Sequence, residues 1–236
     1  MLEKELIFER DLFFALNGSD YGLLDNFFYL YTYKWTWVIF YLSFLLVFLG
    51  HKKWKEIVCA VLAIALLMLL CDQISSHVFK PLFHRFRPTN HPYFQNIVDV
   101  FHYGDYEYRG SGYGFISGHA TNSMGFAIFT ALVFRNRFYT VSILLFALIM
   151  GYSRIYLGRH FISDVVVGWA VGALIGYCVY KTYMYAREHW AKISPEKSML
   201  VHSHRGASML GAIFWLYIVI LLLFNNQWIA FRFYNT

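Results

Sequence analysis

Six apolar stretches, most of them about 20 residues long, are the feature that most constrains how this chain can fold. They lie at 27–50, 57–79, 117–134, 138–153, 161–180 and 207–228. The hydrocarbon core of a bilayer is roughly 30 Å thick, and about 20 mostly apolar residues in an α-helix cross it. The sequence therefore predicts an all-α fold, a polytopic membrane bundle of about six transmembrane helices.

Composition and charge agree with a membrane protein. The chain is 58% hydrophobic and 21% aromatic, well above the range of soluble globular domains. Its net charge of +6 comes from basic residues in short connections, so we expect no nucleic-acid partner. Segment 1–26 mixes charged and apolar residues without the apolar core of a signal peptide, which predicts an amphipathic helix in the membrane interface. We treat 1–236 as one domain in which 207–228 is an extra C-terminal helix.

The basic connections predict the orientation in the membrane. Segments 51–56, 135–137 and 181–205 share one side of a six-span arrangement, and the positive-inside rule makes that side cytoplasmic. Segments 80–116 and 155–160 then face the opposite compartment. They carry more cations than the rule favours there, which indicates a function for some of those cations.

A charged interruption separates the fourth and fifth apolar stretches and holds Arg154, His160 and Asp164. Ionisable groups so close to a bilayer are costly and are candidates for function. His160 and Asp164 are four residues apart, so the carboxylate can hold one ring nitrogen and leave the other as a nucleophile or base. Across the turn at Gly158, Arg154 can fold back and bind phosphate with its planar guanidinium. The structural alternative is a His–Asp pair that packs two helices, with Arg154 extending to the interface.

The segment GSGYGFISGHATNSMGF, at 110–126, is a glycine-rich loop that runs into the third apolar stretch. Free amides at a helix start attract an anion, and here they would include those of Ser117 and Gly118. His119 beside such a site can donate a proton to a leaving oxygen. Ser117 alternatively serves only as the helix N-cap.

The segment KPLFHRFRP, at 80–88, directly follows the second apolar stretch. Lys80 and Arg87 can neutralise the remaining charge of a phosphate, and their place on the side that disfavours basic residues indicates a function. We interpret His84 and Arg85 instead as basic residues that extend to the membrane interface.

In order and spacing, these three segments resemble the motifs of the phosphatidic acid phosphatase type 2 (PAP2) superfamily of membrane lipid phosphatases. The residues that match are Lys80, Arg87 and Pro88 in the first motif, Ser117, Gly118 and His119 in the second, and Ser153, Arg154, His160 and Asp164 in the third. Ile116 stands where the second motif usually has proline, so a less rigid loop is expected there. The resemblance covers 80–164, the motif-bearing catalytic region.

The resemblance implies hydrolysis through a phosphohistidine. His160 would attack phosphorus, Asp164 would orient and charge-balance it, and His119 would protonate the leaving oxygen. The residues that would hold the other phosphate oxygens are Lys80, Arg87, Ser117, Gly118 and Arg154. No cofactor is implied, and we expect no metal because the fixed cations of such a pocket repel a divalent ion.

The expected partner is a phosphorylated lipid taken from the bilayer, and no oligomeric state follows from the sequence. Undecaprenyl diphosphate and lipid A are the leading substrates, with phosphatidylglycerol phosphate and phosphatidic acid as further members of the set. We expect the protein in a bacterial inner membrane, with its active site facing the periplasm or exterior. The aromatic-rich loop 89–115 either covers a headgroup or rests in the interface.

Two other classes of protein fit parts of the pattern. A non-catalytic phospholipid-binding or transport protein could share the fold, and Ile116 is the departure that favours it. His119, His160 and Asp164 argue against it, because binding alone does not require them. A vanadate-dependent haloperoxidase shares the motif set, but those relatives are mainly soluble.

Overall fold

The computed structural model describes residues 2–19, 21–50, 53–193 and 204–234. In chain order the helices are α1 (Leu2–Leu16), α2 (Gly22–Thr32), α3 (Val38–Leu49), α4 (Trp54–Gln73), α5 (Lys80–Phe83), α6 (Gly118–Phe134), α7 (Arg137–Tyr156), α8 (Ile162–His189) and α9 (His204–Tyr234). A π-helical turn, Ile74–Phe79, joins α4 to α5. The strands β1 (His102–Tyr103) and β2 (Tyr106–Glu107) form a small antiparallel hairpin that pairs His102 with Glu107. The predicted all-α fold is confirmed.

Four helical segments are long and apolar enough to cross a membrane, or five if one bent pair counts as a single span. The four are Trp54–Asn90, Arg137–Tyr156, Ile162–His189 and Arg205–Phe233, and the bent pair is Gly22–Thr32 with Lys34–Leu49. The remaining predicted stretch, 117–134, forms α6, whose 17 residues extend only about 25 Å. The predicted number of six transmembrane helices is therefore approximate.

The first apolar stretch is not the continuous helix that the sequence suggests, because it bends by 69° between α2 and α3. Side chains at the bend take over the hydrogen bonds that a straight helix would make. Thr36 Oγ1 donates to the carbonyl of Leu30 at 2.7 Å, and Trp37 Nε1 donates to the carbonyl of Tyr31 at 2.7 Å. A 3₁₀ turn, Lys34–Trp37, follows α2, and these side-chain bonds satisfy the last carbonyls of α2 across the bend.

A row of glycines brings α8 into close contact with α6. Gly168, Gly172 and Gly176 recur every four residues, so they lie on one face of α8. A Cβ atom on Gly172 would lie 2.3 Å from the carbonyl oxygen of Thr121, and one on Gly176 would lie 2.5 Å from that of Gly125. Small residues at such spacing let two membrane helices approach closely. This contact fixes the start of α6 against the start of α8.

Substitution of Gly172 by alanine should destabilise the protein, since the new methyl group would overlap backbone atoms of α6. We expect a loss of about 1–3 kcal/mol, as for other overpacked cores, and a lower thermal unfolding temperature in detergent. Gly22→Ala is the matched control, because nothing lies within 4 Å of a Cβ at that position. An unchanged unfolding temperature for Gly172→Ala would mean that the two helices are not in close contact.

Aromatic side chains fill the bundle on the side of α3, α7 and α9. The buried ring of Trp37 lies 4.9 Å from the ring of Phe146 on α7 and 5.6 Å from that of Tyr217 on α9. Phe40 and Phe214 are also buried in this cluster. The C-terminal helix α9 therefore packs into the same core as the helices that carry the motifs.

Candidate active site

The three motif-bearing segments meet at one end of the bundle. The Gly114 amide donates to the carbonyl of Arg85 at 2.8 Å, and the Ser117 amide donates to the carbonyl of Asp164 at 2.9 Å. Arg87 Nη1 donates to the carbonyl of Arg159 at 3.2 Å. Each segment is thus hydrogen-bonded to another, and residues far apart in the chain share one site.

A tight turn after α7 brings His160 next to Arg154. The amides of Arg159 and His160 both donate to the carbonyl of Arg154, at 2.9 and 3.1 Å. Gly158 has a φ of +65°, a backbone conformation that glycine adopts without steric cost. Both Arg154 and His160 are buried, each with 2% of its surface exposed.

The hydrogen bonds of the His160 ring define which nitrogen carries the proton. Nδ1 lies 3.3 Å from Asp164 Oδ2, and Nε2 lies 3.0 Å from Arg87 Nη1. A guanidinium only donates hydrogen bonds, so Nε2 is assigned as the acceptor and Nδ1–H as the donor to Asp164. The unshared electron pair of Nε2 therefore points towards the cationic side of the site.

His160 is surrounded by cations. Burial, and then the positive charges of Arg87, Arg154 and Lys80, lower the pKa of His160 well below its ordinary value. The imidazole is consequently neutral at neutral pH, which is the form that can act as a nucleophile.

Asp164 is fully buried at the start of α8, and both of its oxygens are occupied. Oδ2 accepts from the Phe161 amide at 3.0 Å as well as facing His160, and Oδ1 accepts from Arg85 Nη1 at 2.8 Å. The contact with the Phe161 amide also satisfies a free N–H group at the start of the helix. The carboxylate is held on both sides and has no freedom to turn.

Arg154, Arg87 and Lys80 form the cationic wall of the site. Arg154 Nη1 donates to Thr32 Oγ1 at 2.5 Å and to the Tyr108 hydroxyl at 3.3 Å. Lys80 Nζ donates to Ser76 Oγ at 3.3 Å. Each cation keeps further N–H groups that these contacts do not use, as a site for an anion requires.

Ser117 and His119 have different surroundings at the start of α6. Ser117 is fully buried, and its Oγ accepts from the Ala120 amide at 3.5 Å. Its hydroxyl thus caps the helix, the alternative that the sequence left open for this residue. His119 instead faces a cavity of about 490 Å³ that Thr32, Asn122 and a larger set of apolar side chains also line.

Loop 89–115 covers part of this end of the bundle. Its Phe101 stacks on Tyr29 of α2 at 4.1 Å, and the Tyr108 ring lies 4.3 Å from the guanidinium carbon of Arg159. Burial alone would raise the pKa of Tyr108, but Arg154 and Arg159 lower it below its ordinary value. One aromatic residue of the loop therefore contacts the cations of the site.

Sequence reasoning missed Arg85, which is 7% exposed and ion-paired with Asp164 instead of extending to the interface. His84, with φ +46°, ends α5, and the backbone is extended at Arg87. Arg85 and Arg87 are buried on either side of Phe86, which is 49% exposed, and such alternation is typical of an extended segment. The alternation of basic and apolar residues in Arg85, Phe86 and Arg87 is the sequence signal that indicates a buried Arg85.

No group of three or more His, Cys, Asp or Glu side chains lies together to hold a metal ion in the part of the chain that the structure describes. The polar groups gathered at this end of the bundle are mostly N–H donors of arginine and lysine. These groups bind anions such as phosphate.

A membrane bundle that holds arginine, lysine, histidine and aspartate in this arrangement belongs to a class of membrane enzymes that act on phosphate groups. The chain belongs to the PAP2 superfamily, whose family model matches residues 57–188. It is an integral membrane hydrolase of the lipid phosphatase class, as the sequence predicts.

Two similar proteins are lipid A 4'-phosphatases. The chain is 50% identical over 189 residues to the lipid A 4'-phosphatase of Porphyromonas gingivalis, covering 80% of this chain and 78% of that one. It is 37% identical over 172 residues to the lipid A 4'-phosphatase of Bacteroides thetaiotaomicron, covering 73% of this chain and 75% of that one. Both relatives are phosphatases, which favours hydrolysis over the non-catalytic alternative.

A solved structure shares the fold. The crystal structure of LpxE from Aquifex aeolicus matches with a TM-score of 0.54 and 27% sequence identity. The match covers 74% of this chain and 95% of that one. The arrangement of helices is therefore one that a solved protein also adopts.

Proposed function

We propose that the protein removes the 4'-phosphate of lipid A in a bacterial inner membrane, with the site facing the periplasm. The observation that carries a phosphatase assignment is the buried His160, whose Nε2 lies 3.0 Å from Arg87 Nη1 and whose Nδ1 lies 3.3 Å from Asp164 Oδ2. The choice of lipid rests on the 50% identity to a lipid A 4'-phosphatase. Undecaprenyl diphosphate, the other leading substrate from the sequence, has less support.

His160 acts as the nucleophile. When a phosphate enters, Arg87 turns its N–H groups from Nε2 to the phosphate oxygens, which frees the electron pair of Nε2. Nε2 then forms a bond to phosphorus while the bond from phosphorus to the lipid oxygen breaks. Asp164 stabilises the positive charge that the ring acquires, through the contact at Nδ1.

Lys80, Arg87 and Arg154 hold the non-bridging oxygens and neutralise the charge that develops on them. The amides at the start of α6, including that of Gly118, are assigned to the same task. Ser117 positions these amides, because its hydroxyl caps the helix and its own amide donates to the carbonyl of Asp164. His119 donates a proton to the leaving oxygen. It then takes a proton from a water molecule, which attacks phosphorus and breaks the bond to Nε2, so that phosphate leaves and His160 is restored.

A lipid substrate is supported by the cavity beside His119. It has a volume of about 490 Å³ and is lined largely by apolar side chains of α3, α4, α6 and α7, among them Phe44, Met68 and Phe126. Such a lining suits an acyl chain. A lipid whose chain occupies it would bring its phosphorylated end towards His119.

The proposed orientation places the motif-bearing end of the bundle in the periplasm. At the other end, Arg187 near the end of α8 pairs with Glu56 at the start of α4 at 3.2 Å. The basic connection between α6 and α7 lies at that same end. The positive-inside rule assigns this end to the cytoplasm.

The test is phosphate release by the purified protein in detergent with excess chelator. The panel contains bis-phosphorylated lipid A, lipid A with only the 1-phosphate or only the 4'-phosphate, undecaprenyl diphosphate, phosphatidylglycerol phosphate and phosphatidic acid. We expect release from the two lipid A forms that carry a 4'-phosphate and little from the form that lacks it. Faster turnover of undecaprenyl diphosphate or a glycerophospholipid would contradict the assignment.

A further inference from the structure

Arg85 lies behind the candidate nucleophile and joins two carboxylates. Its side chain is 6% exposed, and its Nη1 donates to Asp164 Oδ1 at 2.8 Å. Its Nη2 donates a short hydrogen bond to Glu9 of α1. The two ends of the guanidinium therefore hold one carboxylate of the active site and one carboxylate of the N-terminal helix.

Glu9 is fixed in turn by the start of α8. Its Oε2 accepts from the Ser163 amide at 2.8 Å, and its Oε1 accepts from Ser163 Oγ at 2.8 Å. The Glu9 side chain is only 11% exposed. A carboxylate at the N-terminal end of a helix is favourably placed, because free amides and the helix dipole both attract it.

The rest of α1 is docked firmly enough to hold Glu9 in place. Phe13 is fully buried and its ring lies 5.2 Å from that of Phe161, the residue beside His160. Just after the helix, Asn17 Nδ2 donates to the carbonyl of Tyr156 at 2.9 Å. The N-terminal helix is thus attached to the same turn that presents the nucleophile.

Arg85 and Arg87 have different roles, because Arg87 contacts His160 itself whereas Arg85 contacts Asp164. Arg85 is occupied by Glu9, by Ser163 Oγ at 2.5 Å and by Asp164 Oδ1, which leaves Oδ2 for His160 and the Phe161 amide. Glu9 is the partner of Nη2, and without its negative charge Nη2 could turn to Asp164, so that the guanidinium would bind both carboxylate oxygens, as arginine and carboxylate prefer. It would then compete with the Nδ1–H group of His160 for Oδ2.

We propose that Glu9 is a positioning residue of the active site that acts on His160 through Arg85 and Asp164. The proposal rests on the assignment of His160 as the nucleophile. It makes α1 part of the catalytic apparatus as well as a segment at the edge of the bundle.

The first experiment compares Glu9→Gln, which removes the charge and keeps the shape, with Glu9→Asp, which keeps the charge. We expect Glu9→Gln to lower kcat about 10- to 100-fold with KM within about twofold, because a misplacement of about 1 Å can cost 100-fold. Glu9→Asp should lose less activity than Glu9→Gln. Asp11→Asn on the same helix, where the side chain is 85% exposed, should match the unsubstituted protein.

Thermal unfolding in the same detergent separates positioning from a purely structural role. A Glu9→Gln variant that keeps its unfolding temperature but loses kcat supports the proposal. Normal kcat in that variant overturns it. A loss of activity that only follows a loss of folded protein, with the remaining folded fraction fully active, also overturns it.

A second readout does not depend on the identity of the lipid. Phosphoramidate transfers its phosphoryl group to a neutral histidine with loss of ammonia, and mass spectrometry can follow the label at His160. We expect slower labelling of His160 in Glu9→Gln, with the exposed His84 as an internal reference whose rate is unchanged. Equal labelling rates at His160 would overturn the proposal. Glu9-dependent labelling in a protein that hydrolyses no lipid of the panel would support it and contradict only the proposed function.

Discussion

His160→Ala should abolish phosphate release, with kcat lower by about 10⁴-fold or more. No other group in the described site lies where Nε2 lies, next to Arg87 Nη1 at 3.0 Å and backed by a carboxylate. The variant should also fail to form the acid-labile, alkali-stable phosphoprotein that a phosphohistidine gives. Rapid-quench measurement with a labelled lipid tests both expectations.

The matched control for His160→Ala is His84→Ala, which removes an exposed histidine from the neighbouring segment 80–88. It should retain the activity of the unsubstituted protein. If His160→Ala keeps normal turnover, His160 is not the nucleophile, and another residue must be sought in the cationic pocket.

Asp164→Asn should lower kcat by about 10³- to 10⁴-fold while substrate binding changes little. An amide has one oxygen where the carboxylate has two, and Arg85, His160 and the Phe161 amide all donate to this group. One of these donors must lose its partner, and the ring of His160 is no longer held with its proton on Nδ1. The imidazolium formed during phosphoryl transfer also loses its counter-charge.

Steady-state kinetics on the same lipid check the Asp164 prediction, with Asp105→Asn as the control. Asp105 is an exposed aspartate in the hairpin turn at the same end of the bundle, and its replacement should leave kcat unchanged. An increase in KM with normal kcat in Asp164→Asn would contradict an orienting role and would indicate a role in binding alone.

Much of the site follows from the sequence because each motif lies where an apolar stretch ends. Lys80 and Arg87 follow one helix, Ser117 precedes another, and His160 lies in the turn between two more. Since helix ends at one face of a membrane bundle lie close together, their order in the chain was enough to predict that these groups meet. The all-α membrane fold follows from the same apolar stretches.

The features of the fold and the site that cannot be predicted from the sequence depend on contacts between residues far apart in the chain. Glu9 and Ser163 are separated by 154 positions, and no local pattern marks the pair. The bend after α2 is made by side-chain hydrogen bonds of Thr36 and Trp37 to carbonyls six residues earlier, which hydropathy does not reveal. The basic neighbours of Arg85 are typical of a membrane boundary and predict a position at the interface, whereas the side chain pairs with Asp164.

The row of glycines on α8 limits where a lipid can lie beside α6. Because the contact between α6 and α8 has no room for a methyl group at Gly172, it has no room for an acyl chain. Lipids that pass α6 are therefore confined to its other face, where the cavity beside His119 opens. An acyl chain that reaches His119 therefore comes from the cavity side of α6 and not from between α6 and α8.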